Sequence, residues 1–202
     1  VKILAFDSSA ARGSVAVVDS GATLFAEEFD SPRGRGGGLF AALERAMRAG
    51  GRPDRIAVGI GPGGYNGLRT AISAAEGLKL ATGAELVGIA SVRALPCDAA
   101  EYFAVSDARG GVFYCGKLRD RALVGDFELL ALPALVARLD AEPDAPVLTP
   151  AEIPALPRAT VAFPDAIILA RLALDAQPAT ATLEPLYLKP AHITKPRRAV
   201  EC

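Results

Sequence analysis

Ile56-Ala57-Val58-Gly59-Ile60-Gly61-Pro62-Gly63-Gly64-Tyr65-Asn66-Gly67-Leu68-Arg69 is the stretch that decides the fold. Its first five residues form a continuous apolar run, the pattern of a central parallel strand buried on both faces. Positions 61–69 then hold four glycines and one proline, which continue neither strand nor helix. A helical pattern starts near Leu68 and runs to about Thr82, where Gly83 ends it. The segment therefore reads as a tight strand-to-helix crossover with its backbone N–H groups turned outward beside a helix N-terminus. Such a turn binds an anion or receives the backbone of a partner, and the sequence leaves both uses open.

Working outward, residues 1–7, 14–19 and 23–29 read as three strands joined by short turns, as in an antiparallel meander. A glycine-rich stretch follows at 32–38. Leu39, Leu43 and Met47 recur at i, i+4 and i+8, and Phe40 widens the same stripe, which predicts a helix over 39–49. Gly50, Gly51 and Pro53 stop it. Strand 56–61, the crossover, helix 68–82 and strand 85–90 complete a βββαβαβ order. Three antiparallel strands followed by helix-connected parallel strands form the core of actin-like (ASKHA) and ribonuclease-H-like α/β folds. The second half reads as a weaker copy, with strands at 102–106, 111–118 and 122–130, helices at 133–139 and 165–175, and an irregular, proline-rich connection at 140–164. Ala11-Arg12-Gly13-Ser14-Val15 echoes Ala108-Arg109-Gly110-Gly111-Val112. The expectation is two lobes, 1–95 and a reduced lobe at 96–202.

Composition narrows the function. The chain has 202 residues, about half of them hydrophobic, which supports a sizeable core. A net charge of −1 argues against nucleic-acid binding by this chain alone. Its one basic cluster is terminal, Lys189 to Arg198, and reads as a solvated tail. Cys97, Cys115 and Cys202 are odd in number and widely spaced, so neither a disulfide framework nor a zinc knuckle is suggested; a reducing cytoplasm is the simple expectation. Val1 to Phe6 reads as a core strand rather than a leader, and no run approaches the ~20 apolar residues of a membrane span. The single histidine, His192, forbids a two-histidine metal site within one chain and is poorly placed for a buried triad.

Two constellations could carry function. Asp7-Ser8-Ser9 closes the first strand, and Asp107 stands at the matching place in the second half. Small hydroxyl residues and Gly13 would let backbone amides approach a phosphate, with Asp7 and Asp107 around magnesium; the same residues also make ordinary turns. The other constellation is the helix pair. Ala71, Ala74, Ala75 and Gly77 give the second helix a small-residue face, and Leu39, Phe40, Leu43 and Met47 lie on the first. An apolar strip left outside this pair would be an interface.

Four segments taken together resemble the TsaB (YeaZ) family. They are Ile3-Leu4-Ala5-Phe6-Asp7-Ser8-Ser9 with Ser14-Val15-Ala16-Val17; Gly61 to Arg69, with Tyr65 and Asn66 in place of phenylalanine and threonine; Ser106-Asp107-Ala108-Arg109-Gly110-Gly111-Val112-Phe113-Tyr114; and Glu184-Pro185-Leu186-Tyr187-Leu188-Lys189-Pro190-Ala191-His192-Ile193-Thr194. One segment departs from the pattern: Arg33-Gly34-Arg35-Gly36-Gly37-Gly38 stands where the family carries a His-Ser-Glu-like run. The resemblance implies a two-lobed actin-like protein that is a degenerate relative of TsaD. It implies no catalytic residues and no metal site of its own. The implied role is a scaffold that pairs with TsaD, and with the ATPase TsaE, in forming N6-threonylcarbamoyladenosine in tRNA, touching the tRNA only through the complex.

The expected interface comprises Leu39, Leu43 and Met47, the crossover Gly61, Pro62, Gly63, Gly64, Tyr65, Asn66, Gly67, Leu68 and Arg69, and the face Ala71, Ala74 and Ala75. Without its partner the chain is expected to form a homodimer through the same helices. Asp7, Ser8, Ser9 and Asp107 would be a vestigial nucleotide cleft, with no cofactor beyond weak or complex-dependent ATP or ADP binding. The rival reading is an actin-like kinase or ATPase; a metallopeptidase is disfavoured by the lone histidine.

Overall fold

The computed structural model describes residues 1–31 and 37–188. Residues 33–36 of the glycine-rich departure, the basic tail from Lys189, His192 and Cys202 lie outside the described residues. Strands β1 (Lys2–Asp7), β2 (Arg12–Asp19) and β3 (Ala22–Asp30) form the expected meander. Helix α1 (Gly37–Gly50), β4 (Arg55–Gly59), α2 (Tyr65–Thr82) and β5 (Glu85–Ile89) follow. The first sheet runs β3-β2-β1-β4-β5, antiparallel on one side of β1 and parallel on the other.

Alternation explains why β1 is apolar throughout. Leu4 and Phe6 point into one core with Val15, Val17, Ile56, Val58 and the helices α1 and α2. Ile3 and Ala5 point into another, on the opposite face of the sheet. A strand covered on both faces shows no polar alternation.

A 3-10 turn, Ser91–Ala94, leads to the second sheet. It contains β6 (Glu101–Asp107), β7 (Val112–Arg119), β8 (Ala122–Leu123) and β9 (Glu128–Ala131). Helix α3 (Leu132–Asp140), β10 (Val147–Thr149) and β11 (Ala159–Val161) complete it. Its order is β11-β10-β6-β7-β8, with β9 also pairing β7. This repeats the first sheet strand for strand: β6 takes the place of β1, β7 of β2 and β10 of β4. The echo in the sequence is a true duplication of architecture. What the second lobe lacks is a counterpart of α2, because residues 150–158, between β10 and β11, form turns.

Three expectations are corrected. The strand expected at 122–130 is broken into β8 and β9 around Gly125, whose φ of 72° is left-handed. The irregular span 140–164 contains β10 and β11, each only three residues long and flanked by prolines. The helix expected at 165–175, α4 (Ala166–Ala173), does not pack on the reduced second lobe; it covers the second face of the first sheet, against Ile3, Ala5 and Ala57. Asp165 caps it, accepting from Ile167 N at 2.6 Å, and Asp165 N donates to Ala94 O.

Arginines close several helix C-termini. Arg52 donates to Thr82 O at the end of α2, and Arg158 to Leu139 O (2.9 Å) at the end of α3. Arg55, on β4, donates to Ala173 O at 2.5 Å, Leu174 O at 3.1 Å and Ala176 O at 3.3 Å, and ion-pairs with Glu85. Helix-end carbonyls need such partners, and a guanidinium supplies several donors in one plane. Replacing Arg55 by Leu removes all of these donors from carbonyls that are partly buried. The expected loss is roughly 2 kcal/mol, read as a lower denaturant midpoint at unchanged m-value.

Candidate functional site

The crossover forms as expected but begins its helix three residues early, at Tyr65. Gly61 adopts φ 103°, which a side chain would strain, and its N–H donates to Ser91 Oγ at 2.9 Å. The crossover then lies directly on the turn after β1. Gly64 N donates to Ser9 O at 2.7 Å, and Ser8 Oγ donates to Gly67 O at 2.8 Å. A Cβ at Gly63 would collide with the Ser9 carbonyl and one at Gly67 with the Ser8 carbonyl. The glycines are therefore required by contact within the chain. The outward amides of the sequence reading are turned partly inward, onto this turn.

Asp7 stands at the end of β1 and is fully buried. Its Oδ1 accepts from Ser9 N at 2.7 Å and from Ser9 Oγ at 2.6 Å. Its Oδ2 has no partner of hydrogen-bond geometry among the described residues and is packed against Gly59. Burial holds the Asp7 carboxyl above the usual carboxylate range, and the hydroxyls of Ser9 and Ser91 and the Ser9 amide oppose it. Asp107, its counterpart at the end of β6, is exposed and accepts from Arg109 N at 2.6 Å, an ordinary turn cap.

Among the described residues a cavity of about 20 Å³ lies between the lobes, lined by Ser9, Pro62, Gly63, Ser91 and Tyr114 among others. It admits little more than a single water, whereas small-molecule sites occupy roughly 300–1,000 Å³. Burial also pushes the Tyr114 hydroxyl at this cavity up to about 12, and the Asp7 charge adds to the rise. The cleft residues Asp7, Ser8 and Ser9 are thus brought together, but around packed protein.

The helix pair is different. On its outer side an open groove of about 510 Å³ runs between α1 and α2, lined by Phe40, Leu43, Met47, Ala74, Gly77 and Leu78 among others. Phe40 is 56% exposed, and Leu80, on α2, is 85% exposed. Of the residues expected at an interface, Leu43, Met47 and Ala74 line this groove. Leu39, Leu68, Ala71 and Ala75 do not: each is at most 1% exposed and faces the protein's own core, because the 3.6-residue period carries them onto the sheet side. Gly61 and Pro62 are buried as well, while Gly63, Gly64, Tyr65, Asn66 and Arg69 are exposed and Gly67 is half-buried.

Sequence reasoning missed a third feature. Residues 179–188 return across the first lobe and meet the crossover. Tyr187 stacks on Tyr65 with centroids 5.3 Å apart, the Arg69 guanidinium sits 4.2 Å over the Tyr65 ring, and Arg69 Nε donates to Tyr187 Oη at 2.8 Å. Arg69, expected to reach a partner, is engaged within its own chain. The available signal was that three of the resembling segments carry a tyrosine, Tyr65, Tyr114 and Tyr187, two of which stack here.

The raised pKa of Asp7 has a definite sign. The folded state holds the proton more tightly than the unfolded state, so this group stabilises the fold at low pH. That contribution declines as pH rises from about 4 through the raised folded value. Asp7→Asn keeps an acceptor for Ser9 and removes the charge. Its stability should equal or exceed the parent's at pH 7 and be flatter with pH, measured by urea unfolding from pH 4 to 8. A carboxylate kept for a metal ion would lose ligand binding in this variant.

No helix among the described residues is long and apolar enough to cross a membrane, and none of them form a His, Cys, Asp and Glu cluster suited to a metal ion. Residues 39–126, which contain both groove helices, the crossover and β6–β8, match the family model described as TsaD: tRNA N6-adenosine threonylcarbamoyltransferase. Two solved structures from Pseudomonas aeruginosa share the fold. One is described as YeaZ, the other as an uncharacterized protein with similarity to peptidase YeaZ. Each is 24% identical, with a TM-score of 0.74, and the alignment covers 93% of this chain and 99% of that one. No curated protein sequence matches the chain. The mixed α/β fold and the resemblance to the TsaB (YeaZ) family, both read first from the sequence, are borne out by these matches.

Proposed function

We propose that this chain is a non-catalytic subunit of the machinery that forms N6-threonylcarbamoyladenosine in tRNA. In this reading it docks on TsaD through the groove between α1 and α2. The observation that carries it is the contrast between two concave places: the cavity between the lobes is about 20 Å³, and the outer groove of the helix pair is open, apolar and about 510 Å³. An exposed apolar patch of this kind marks an interaction site. Gly77 supports the same reading. It lies mid-helix at the groove, and an added Cβ there would meet nothing. A glycine costs a helix roughly 1 kcal/mol relative to alanine, and here it lets a second helix come close.

The remaining roles follow as parts of this proposal. TsaE joins the assembly, tRNA is touched only through it, and nucleotide binds weakly or only once the complex has formed. Without TsaD the same groove pairs two copies of this chain as an isologous dimer. The setting is the cytoplasm.

Ala74→Arg places a charge in the groove on a half-buried position of α2. Pairing with the TsaD of the same organism should weaken by at least about 2 kcal/mol, while the thermal midpoint of the isolated chain stays near its parent value. Gly77→Ala should stabilise the isolated chain by roughly 1 kcal/mol, read from denaturant unfolding. The decisive experiment is co-purification with that TsaD and an assay of tRNA modification with and without this chain. A stable complex whose loss abolishes modification establishes the subunit role. No complex, together with ATP turnover by the chain alone, replaces it with a kinase or ATPase.

A further inference from the structure

Helix α2 begins without the usual means of fixing a first turn. Gly64 stands at its N-cap, so no side chain caps the helix. Tyr65, Asn66 and Gly67 are poor helix formers, and the first residue the helix buries is Leu68, beyond this turn. The chain segment 179–188 supplies what is missing. Ala179 N donates to Leu86 O at 2.7 Å, on β5. Leu183 packs into the core of the first lobe, over Gly88, and its N–H donates to Glu76 Oε1 at 3.2 Å, on the flank of α2. Leu186 N donates to Ile60 O at 2.7 Å, beside the crossover. Tyr187 then closes the stack with Tyr65 and Arg69 on the exposed first turn. Leu188 continues into the core of the second lobe.

We propose that residues 179–188 are a strap, anchored at Leu183 and latched at Tyr187, that seats the first turn of α2 and thereby sets the shape of the docking groove. This rests on the reading of that groove as the partner site. The strap and the groove occupy different flanks of one helix: Tyr65, Arg69 and Glu76 face the strap, while Ala74, Gly77 and Leu78 face the groove. The anchor, Leu183, is half-buried and packed against the first-lobe core, whereas Tyr187 and Tyr65 are each about 40% exposed and lie on the surface. The latch is therefore the part that can release while the fold remains, and Tyr187 is a positioning residue for docking.

The test compares the full chain with Tyr187→Ala and Tyr187→Phe, the second keeping the ring but not the hydroxyl. Backbone hydrogen exchange is followed at Leu68, whose N–H donates to Gly64 O as a first bond of α2, and at Leu186. Amides of β1 serve as the reference. Tyr187→Ala should speed exchange at both sites by about tenfold, the size of an aromatic stack, and leave β1 unchanged. Affinity for TsaD should fall by a similar factor, and Tyr187→Phe should restore most of both. Unchanged exchange at Leu68 overturns the inference, as does an equal rise in β1. Faster exchange with undiminished affinity overturns the seating role. Ala74→Arg, run in parallel, separates the two readings. If it pairs normally, the groove is not the docking site, and the exchange data alone then decide whether the strap fixes α2.

Discussion

The contact between the crossover and the turn after β1 sets the character of this molecule. Ser9 O receives Gly64 N, Ser8 Oγ reaches Gly67 O, and no side chain fits between them. The crossover's own backbone thus packs directly on the turn after β1. The chain must turn sharply at Gly61 to make this contact, which fixes where α2 starts and how it lies on the sheet. Asp7 beneath the turn is left in a dry site where the protonated form is favoured. One steric fact, glycine against carbonyl, thus links the packed turn, the perturbed carboxyl and the placement of the groove helix.

Much of the first lobe was legible because its strands are buried on both faces and its helices stop at clear glycine and proline signals. The βββαβαβ order needs only local information, and each element falls within a few residues of its expected place. Burial direction was harder. Leu39, Leu43 and Met47 share a stripe, yet Leu39 faces the sheet while Met47 opens on the groove, because a stripe drifts around the helix and its width says nothing about which neighbour covers it. Helix α2 begins at Tyr65 rather than Leu68 in a setting outside the segment: Ser8 and Ser9 bond its first turn, and Tyr187, 118 positions away from Arg69 in the chain, stacks on it. The short strands β10 and β11 carry too few residues for a period to show. The assignment of α4 to the first lobe depends on contacts such as Ser14 Oγ to Pro164 O, which join opposite ends of the sequence.

Arginine has a particular place in this economy of contacts. With no side-chain cap on α2 or α3 and alanine-rich helices throughout, carbonyl groups at helix ends are met by guanidinium groups from neighbouring elements. Arg121 does the same for the linker between the lobes, donating to Arg93 O, Leu95 O and Cys97 O, while Arg93 Nε returns a bond to Arg121 O. These bonds, with the Asp165 cap and α4 on the first sheet, tie the two lobes at several separate points.

The second lobe repeats the first except for the helix that would lie between β10 and β11. That omission bears on geometry at a larger scale. A molecule with equivalent sticky faces on both halves can add neighbours at either end, and head-to-tail addition of that kind grows into open filaments. Here the duplicated half, as described, lacks the helix that would complete a second pair of this kind. In the proposed pairing through the α1–α2 face, each member would then bring one such face, and growth would end at two members.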